Sequence, residues 1–201
     1  MKTLSTLVLF LASSALIASC ASHSGSHNSQ ASSMASAPAP SANWGMVGAV
    51  NVEMKNAKGE SIGSAWVAPA KEGDKGIVVQ LDLHGLPEGT HGIHIHEKAS
   101  CVGPDFKSAG GHFSPTKHDH GAKAKQGPHA GDLGNIKVGS DGMLQTRLYN
   151  DHVDLGVSLQ SLQQGAGTSI IIHAKEDDEK SQPAGNSGDR IACGVIEAST
   201  K

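Results

Sequence analysis

The stretch that decides the fold, residues 90–135, reads THGIHIHEKASCVGPDFKSAGGHFSPTKHDHGAKAKQGPHAGDLGN. Seven of the chain's twelve histidines lie in it. It begins as an alternating strand, in which His94 and His96 share one face because residues two apart point the same way. Gly, Pro and Lys then dominate, so the later histidines lie on a long loop. Long loops in compact domains are usually functional or disordered, and one so rich in histidine indicates a metal site.

Short strands flank this stretch on both sides. Several segments alternate apolar and polar side chains, the period-2 pattern of half-buried strands, and the turns between them contain Gly, Asn and Asp. Eight strands are predicted, at residues 50–55, 61–67, 77–83, 91–96, 133–138, 143–149, 169–173 and 190–196. A turn at residues 140–142 predicts a hairpin between the fifth and sixth strands. We therefore expect an all-β fold, an eight-stranded antiparallel Greek-key β-sandwich or barrel with two long functional loops and no helix.

The first twenty residues predict an export signal. Lys2 precedes an apolar run at residues 4–17 that is too short to span a bilayer, as in secretory signal peptides. The segment ends in Ala18-Ser19-Cys20, which resembles a bacterial lipobox. Residues 1–20 are thus predicted to be a signal peptide, with Cys20 becoming the lipidated first residue of the mature protein. The alternative is ordinary cleavage nearby, which would leave Cys20 as a free thiol.

The next segment, residues 21–43, predicts a flexible linker. It consists mainly of Ser, Ala, Pro and His and cannot bury a core. Its histidines, His23 and His27, fit linker composition better than a metal site. The folded domain is expected over residues 44–201, in the periplasm or cell envelope, with a lipid anchor as its only link to a membrane. A net charge of −3 gives no indication of nucleic-acid binding.

The two remaining cysteines, Cys101 and Cys193, form an even pair in a chain predicted to be exported, so a disulfide is expected. It would close a loop of about ninety residues, for which loop-closure entropy predicts about 4–5 kcal/mol of stabilisation. It would also connect the histidine-bearing loop to the last strand and restrict the movement of the candidate ligands.

The candidate ligands are too numerous for one metal ion. Imidazole binds zinc, copper, iron and nickel, whereas a carboxylate among imidazoles is typical of zinc. The set comprises His94, His96, His112, His120, His129, Asp132 and the remote His173. Two adjacent metal sites are the simplest interpretation.

Four ordered segments of the chain resemble copper/zinc superoxide dismutases. They are GIHIHE at residues 92–97, GHFSP at 111–115, HAGDLGN at 129–135 and GNSGDRIACGVI at 185–196. The resemblance extends from about residue 47 to residue 196, which is almost the whole predicted domain. It implies a Greek-key β-sandwich and an enzyme that holds one copper and one zinc per chain.

The family pattern, carried over position by position, implies both ligand sets. Copper is assigned to His94, His96, His112 and His173. Zinc is assigned to His112, His120, His129 and Asp132. His112 belongs to both sets because the family bridges its two metals through one imidazole. His118 remains the alternative to His120, although His120 precedes a glycine and lies eight residues after His112, as in many family members.

Other polar residues receive supporting roles from the same resemblance. Asp177 is implied to connect a copper ligand with a zinc ligand, because carboxylates behind metal-bound imidazoles fix the tautomer and orientation of the ring. His91 is implied to pack and hydrogen-bond within the fold. His84 and His152 match no family role and are expected to lie at the solvated surface.

Arg190 distinguishes an enzyme from a metal container. A guanidinium beside an open copper position offers a fixed positive charge and hydrogen-bond donors to a small anion. Asp189 precedes it, where many family members have a small residue, and could pair with it and weaken its attraction.

The resemblance thus implies dismutation of superoxide to dioxygen and hydrogen peroxide, with His112 and Arg190 as catalytic residues, protecting the envelope from extracytoplasmic superoxide. A protein that sequesters copper or zinc in the envelope is the alternative, and either a monomer or a homodimer fits the sequence.

Overall fold

The computed structural model describes residues 48–71 and 75–199 and contains eight strands. The strands are β1 (Val50–Asn56), β2 (Ser61–Pro69), β3 (Ile77–Leu83), β4 (Gly89–His96), β5 (Asp132–Val138), β6 (Leu144–Asn150), β7 (Gly167–His173) and β8 (Arg190–Glu197). One short 3₁₀ helix (Lys107–Ala109) is the only helical turn in the described part of the chain. The predicted all-β class and the number of strands are confirmed, and the bounds differ by only one or two residues.

Several predictions fall outside the described residues. These are the signal peptide and linker of residues 1–43, with Cys20, His23 and His27. Within the residues that the structure describes, no helix has the length and apolar character needed to cross a membrane.

The strands form one antiparallel sheet in the order β5-β4-β7-β8-β1-β2-β3-β6. The first and last strands of this order, β5 and β6, contact each other, so the sheet curls into a nearly closed barrel. Asn150 at the end of β6 supports the closure, since its side-chain amide donates a hydrogen bond to the Ala130 carbonyl oxygen, 2.9 Å away. The predicted Greek-key sandwich or barrel is confirmed.

The predicted hairpin between the fifth and sixth strands is wrong. β5 pairs with β4, whereas β6 pairs with β3, although a short turn joins β5 to β6. The turn carries the expected signal, with Gly142 at φ +70° and its N–H bonded to the Gly139 carbonyl. The connection instead crosses one end of the barrel, where Leu86 and Leu144 are buried in the core. The turn's local chemistry therefore does not decide which strands pair in the sheet.

The barrel core is aliphatic, and its pattern on β4 explains why His94 and His96 face out of the barrel. On β3 the residues Ile77, Val79, Leu81 and Leu83 are fully buried, as their alternation predicts. On β4 the isoleucines at positions 93 and 95 point into the core, so the alternate positions face out of the barrel. Residues 91–96 of β4 are nevertheless all buried, because the long loops cover the outer face of that strand.

The first covering loop is fixed to the barrel by a disulfide. Cys101 and Cys193 are bonded, with Cα atoms 5.7 Å apart, which confirms the predicted bridge. Phe106, Ala109 and Ile171 pack around it in a small apolar cluster separate from the barrel core. The loop between β4 and β5 is thus held against β7 and β8, directly beside the outward face of β4.

Candidate metal centre

Four histidines converge on the outer face of the barrel. His94 and His96 come from β4, and His173 ends the neighbouring strand β7. His112 comes from the covering loop and is brought in by a β-bridge to His96. Each of the four offers a ring nitrogen, and these nitrogens lie within 4.8 Å of one another. The structure thus brings together all four residues that the sequence assigned to copper.

The hydrogen bonds of these rings leave one nitrogen of each without a partner. The unpartnered atoms, all buried, are His94 Nδ1, His96 Nε2, His112 Nε2 and His173 Nε2. The opposite nitrogens face oxygen acceptors: His94 Nε2 lies 2.7 Å from Asp177 Oδ2, His96 Nδ1 3.0 Å from the Gly110 carbonyl and His173 Nδ1 3.2 Å from the Gly188 carbonyl.

This arrangement determines where the lone pairs point. A nitrogen that faces an oxygen acceptor must carry the ring hydrogen, so the opposite nitrogen of a neutral imidazole carries a lone pair. Several buried lone pairs directed at one another without a donor are unfavourable unless a cation lies between them. A copper ion fits this donor set, because imidazole nitrogen is one of its preferred ligands.

A second cluster adjoins the first at His112. The Nδ1 atoms of three histidines surround one carboxylate oxygen, Asp132 Oδ1, at 2.8 Å for His112, 3.2 Å for His120 and 3.3 Å for His129. The Nδ1 atoms of His112 and His129 are 3.3 Å apart. A tetrahedral zinc ion with bonds of about 2.0–2.1 Å has ligand–ligand distances of about 3.3 Å, so these four atoms fit zinc.

His112 is the residue that joins the two clusters. Its Nδ1 lies among the zinc-type ligands, and its Nε2 is unpartnered among the copper-type ligands. His94, His112, His120 and Asp132 also have potential ligand atoms within 4.8 Å of one another, so the clusters are contiguous. His94 nevertheless belongs to the first cluster, because its Nε2 is bonded to Asp177 and only its Nδ1 is free.

Asp177 connects the two clusters from behind. Its Oδ2 lies 2.7 Å from His94 Nε2, and its Oδ1 lies 2.9 Å from His120 Nε2. The backbone N–H and carbonyl of Asp177 are in turn bonded to the side chain of Asn135 at 2.8 and 2.9 Å. Asp177 thus lies where the resemblance implied. The two bonds between the Asn135 side chain and the Asp177 backbone were not predicted from the sequence. Asn135 is the last residue of the HAGDLGN segment, and that position was the signal available.

Burial adjusts the protonation of the first cluster in favour of metal binding. It lowers the pKa of His96 to about 2 and the pKa values of His112 and His173 to about 4. Burial likewise lowers the pKa of His94, against the opposing bond to Asp177. These imidazoles are therefore neutral at pH 7, which is the form that binds a metal ion.

The second cluster combines a cationic imidazole with carboxylates. Burial alone would lower the pKa of His120, but its bonds to Asp132 and Asp177 outweigh burial and raise that pKa to about 9. Burial likewise opposes ionisation of Asp132, but hydrogen bonds from three histidines hold its pKa well below the usual range. The two carboxylates outnumber the one cationic ring, so the cluster carries net negative charge, and His120 must release its proton when a divalent cation binds.

Arg190 lies beside the first cluster and is held by backbone oxygens. Its Nη1 donates to the Phe106 carbonyl at 2.7 Å, and its Nη2 donates to the Gly110 carbonyl at 2.6 Å. The Gly110 carbonyl also lies 3.0 Å from His96 Nδ1, so one oxygen connects the guanidinium to a copper-type ligand. The charge is close enough to help lower the pKa values of His96 and His173.

A surface depression surrounds Arg190. Its lining residues are Pro104, Asp105, Lys107, Gly188, Asp189 and Arg190. Lys107 is paired with Asp105 at 2.9 Å. Within the described part of the chain, Asp189 makes no ion pair with Arg190, so the pairing suggested by the sequence is not found. Asp189 nevertheless lines the same depression as Arg190.

The remaining histidines lie outside both clusters. His118 Nδ1 is 3.2 Å from the Pro128 carbonyl, so the structure places His120 and not His118 among the zinc-type ligands. The buried His91 has ring nitrogens 2.9 Å from the His173 carbonyl and 3.0 Å from the Pro87 carbonyl, which makes it a support for His173. His84 and His152 are exposed, as expected.

The fold and the two clusters define an all-β metalloprotein with paired nitrogen- and oxygen-liganded sites. Comparison with known proteins gives the family. The family model described as copper/zinc superoxide dismutase (SODC) matches residues 61–196, and the chain belongs to that family. The family uses one copper and one zinc, in agreement with the cofactors implied by the sequence.

Relatives and solved structures support this assignment over most of the domain. Superoxide dismutase [Cu-Zn] 1 of Aquifex aeolicus is 42% identical over 148 residues, which cover 73% of this chain and 86% of that protein. The Caulobacter vibrioides enzyme is 38% identical over 146 residues, covering 71% and 82%. A double mutant of a SOD-like protein from Bacillus subtilis superposes with a TM-score of 0.71 at 38% identity, covering 74% and 97%. Cu/Zn superoxide dismutase from Brucella abortus gives 0.60 at 29% identity, covering 74% and 99%.

Proposed function

We propose that this protein dismutates superoxide, converting two superoxide anions and two protons into dioxygen and hydrogen peroxide. Copper would be held by His94, His96, His112 and His173, and zinc by His112, His120, His129 and Asp132. The observation that carries the proposal is the convergence of four buried, unpartnered ring nitrogens beside a fixed guanidinium. Copper, when bound, supplies the one-electron acceptor and donor that the two halves of dismutation need.

The chain's own residues bind the anion and handle protons. Arg190 offers superoxide a positive charge at a fixed position, because two backbone carbonyls hold its guanidinium. His112 Nε2 is the atom positioned to take up a proton and deliver it to reduced substrate, since its Nδ1 is occupied in the zinc-type cluster. The zinc-type ligands hold that imidazole in place and anchor the covering loop.

The main rival is a protein that sequesters copper or zinc without catalysis. Such a protein needs ligands but no anion-binding charge. Here the two guanidinium bonds direct Arg190 toward the copper-type ligands, and the disulfide fixes the strand that carries it. This arrangement supports catalysis rather than storage.

The test is superoxide dismutation by the purified protein, with copper and zinc counted on the same sample. We expect about one copper and one zinc per chain, and activity that disappears on copper removal and returns when copper is added. His112→Ala should lose nearly all activity. Bound metal without activity in the unaltered protein would support sequestration and overturn the proposal.

We also propose that the protein is exported to the periplasm or cell envelope and anchored there by a lipid at Cys20. The apolar run at residues 4–17, the lipobox-like segment before Cys20 and the Cys101–Cys193 disulfide support this location. Radiolabelled palmitate should label the protein in its native host, and Cys20→Ala should abolish the labelling. Labelling that is absent from the unaltered protein would contradict lipidation.

The predicted assembly, a monomer or a homodimer, stays a prediction. Size-exclusion chromatography with light scattering on the purified domain would measure it.

A further inference from the structure

We propose that Gln182 is a positioning residue for His120, and the proposal rests on the zinc-binding role proposed above for His120. Gln182 lies on the loop between β7 and β8, 62 residues from His120 in sequence. Its side-chain oxygen accepts a hydrogen bond from the His120 backbone N–H at 2.8 Å. Its side-chain nitrogen donates to the His120 backbone carbonyl at 2.9 Å. One amide thus binds both backbone groups of one residue.

The backbone around His120 has few other restraints among the described residues, although the N–H of the next residue, Gly121, donates to Asp132 Oδ2 at 3.0 Å. Among the described residues, its N–H and carbonyl form no hydrogen bond except those to Gln182. The surrounding loop lies outside the strands, so the barrel's ladder does not fix it. The direction in which His120 Nδ1 points therefore depends on this clamp and on the ring's bond to Asp177.

Both restraints come from the same loop. Asp177 Oδ1 lies 2.9 Å from His120 Nε2, and Gln182 binds the backbone of the same residue. The next residue, Gly121, approaches this loop so closely that a Cβ atom there would lie 2.1 Å from the Glu179 carbonyl oxygen. The loop between β7 and β8 thus contacts His120 at its ring, at its backbone and at its chain neighbour.

The position of Gln182 is itself fixed by a turn around Asp178. The carboxylate of Asp178 accepts hydrogen bonds from the backbone N–H groups of Lys180 and Ser181 at 3.0 and 2.7 Å, and from the Asn186 side chain at 3.0 Å. Gln182 is exposed, so its replacement removes the two hydrogen bonds to His120, a long one of 3.5 Å to the Lys180 carbonyl, and little packing. Its contribution should therefore appear in zinc binding more than in the stability of the fold.

The test compares Gln182→Ala with Gln126→Ala. Gln126 is exposed on the loop that carries His120, and its side chain forms no hydrogen bond among the described residues. Zinc affinity of the metal-free protein is measured by competition with a chromophoric chelator. Loss of groups that orient a metal ligand typically costs about 10–100-fold in affinity, so we expect Gln182→Ala to weaken zinc binding about tenfold or more. Gln126→Ala should bind zinc like the unaltered protein.

Two further measurements distinguish positioning from a structural role. With cobalt(II) in place of zinc, the visible absorption of Gln182→Ala should change, whereas the Tm of the metal-free protein should shift no more than in Gln126→Ala. Gln182→Met keeps the side-chain length without any of these hydrogen bonds and should resemble Gln182→Ala. Zinc affinity within twofold of the unaltered protein in both Gln182 variants would overturn the inference. An unaltered protein that binds no zinc would instead overturn the proposed function.

Discussion

At the residue scale, the charge of Arg190 is available to a substrate because its partners are neutral. Two backbone carbonyls orient the guanidinium, and neither cancels its charge as a carboxylate would. Burial lowers its pKa, but an arginine remains charged at any pH at which the protein folds. An anion that reaches the depression therefore meets a fixed cation beside the copper-type ligands, although Asp105 and Asp189 line the same depression.

Replacement of Arg190 by Ala should lower kcat/KM for superoxide about 10–100-fold without loss of copper. A hydrogen bond to a charged group contributes about 1.5–3 kcal/mol, and each 1.4 kcal/mol is a factor of ten in rate. Pulse radiolysis at low superoxide, with metal analysis of the same sample, measures the effect. Arg147→Ala is the matched control, because Arg147 is the chain's other arginine and binds Gln80 on the exposed face of β6. Full activity in Arg190→Ala would contradict the anion-binding role.

Asp189 lies in the same depression and opposes this attraction. Asp189→Asn should raise kcat/KM a few-fold at low ionic strength, because removing a like charge near the site increases the encounter rate of an anion. The gain should disappear at about 1 M salt, where screening extends over only about 3 Å. If kcat/KM of Asp189→Asn stayed raised at high salt, the effect of Asp189 would not come from its charge.

At the scale of the elements, two long loops cover one face of β4 and bring ligands to it. The loop between β4 and β5 supplies His112, His120 and His129, and the loop between β7 and β8 supplies Asp177 and Gln182. The first loop contains one turn of 3₁₀ helix and no other regular element among the described residues, so a few backbone bonds to β4, side-chain bonds and the disulfide fix it. The geometry of the site is therefore a property of loop anchoring as much as of the barrel.

Breaking the disulfide tests this dependence on anchoring. Replacement of Cys101 and Cys193 together by Ser should lower the free energy of unfolding by about 4–5 kcal/mol, the loop-closure value for a separation of 92 residues. Denaturant unfolding of the metal-free protein measures the loss. Activity should fall as well, because the Phe106 carbonyl that holds Arg190 lies five residues after Cys101. Unchanged stability would show that apolar packing around Phe106 suffices.

At the scale of the whole molecule, the buried histidines make stability depend on pH. In the metal-free protein, the pKa values of His96, His112 and His173 lie below the ordinary value of 6.5, so the unfolded chain binds protons more readily. Stability therefore falls as the pH drops from about 6.5 through 4. His120 has the opposite sign: its folded pKa of about 9 gives a contribution that is complete below pH 6.5 and lost as the pH rises through 9.

The metal-free protein should accordingly be most stable near pH 6.5. Its stability should decline more steeply on the acid side, where His96, His112 and His173 contribute, than on the alkaline side, where His120 contributes. Copper and zinc should raise the stability but make the acid decline between pH 6.5 and 4 steeper, since a metal-bound nitrogen, above all that of His120, cannot take up the proton that the unfolded chain binds. Differential scanning calorimetry of the metal-free and metal-loaded protein across this range measures both curves. Parallel curves would contradict a metal site at these histidines.

Much of the molecule was predictable from local signals. Alternation indicated several of the eight strands, and a continuous apolar run at residues 169–173 indicated β7, which is buried throughout. The ordered segments around His94, His112, Asp132 and Arg190 indicated the family, and an even cysteine pair indicated the disulfide. Each of these signals is carried by neighbouring residues or by a motif that can be read along the sequence alone.

Other features required the tertiary structure, because they join residues far apart in sequence. The turn at residues 140–142 has hairpin chemistry, yet β5 pairs with β4 and β6 pairs with β3, and Leu86 and Leu144 are buried in the core. His118 and His120 lie two residues apart on an irregular loop. The choice between them depends on which ring faces Asp132, and only the structure shows that it is His120. The two hydrogen bonds between Gln182 and His120 could not be predicted from the sequence. An exposed glutamine on a polar loop fits no motif, and its partner lies 62 residues away in the chain.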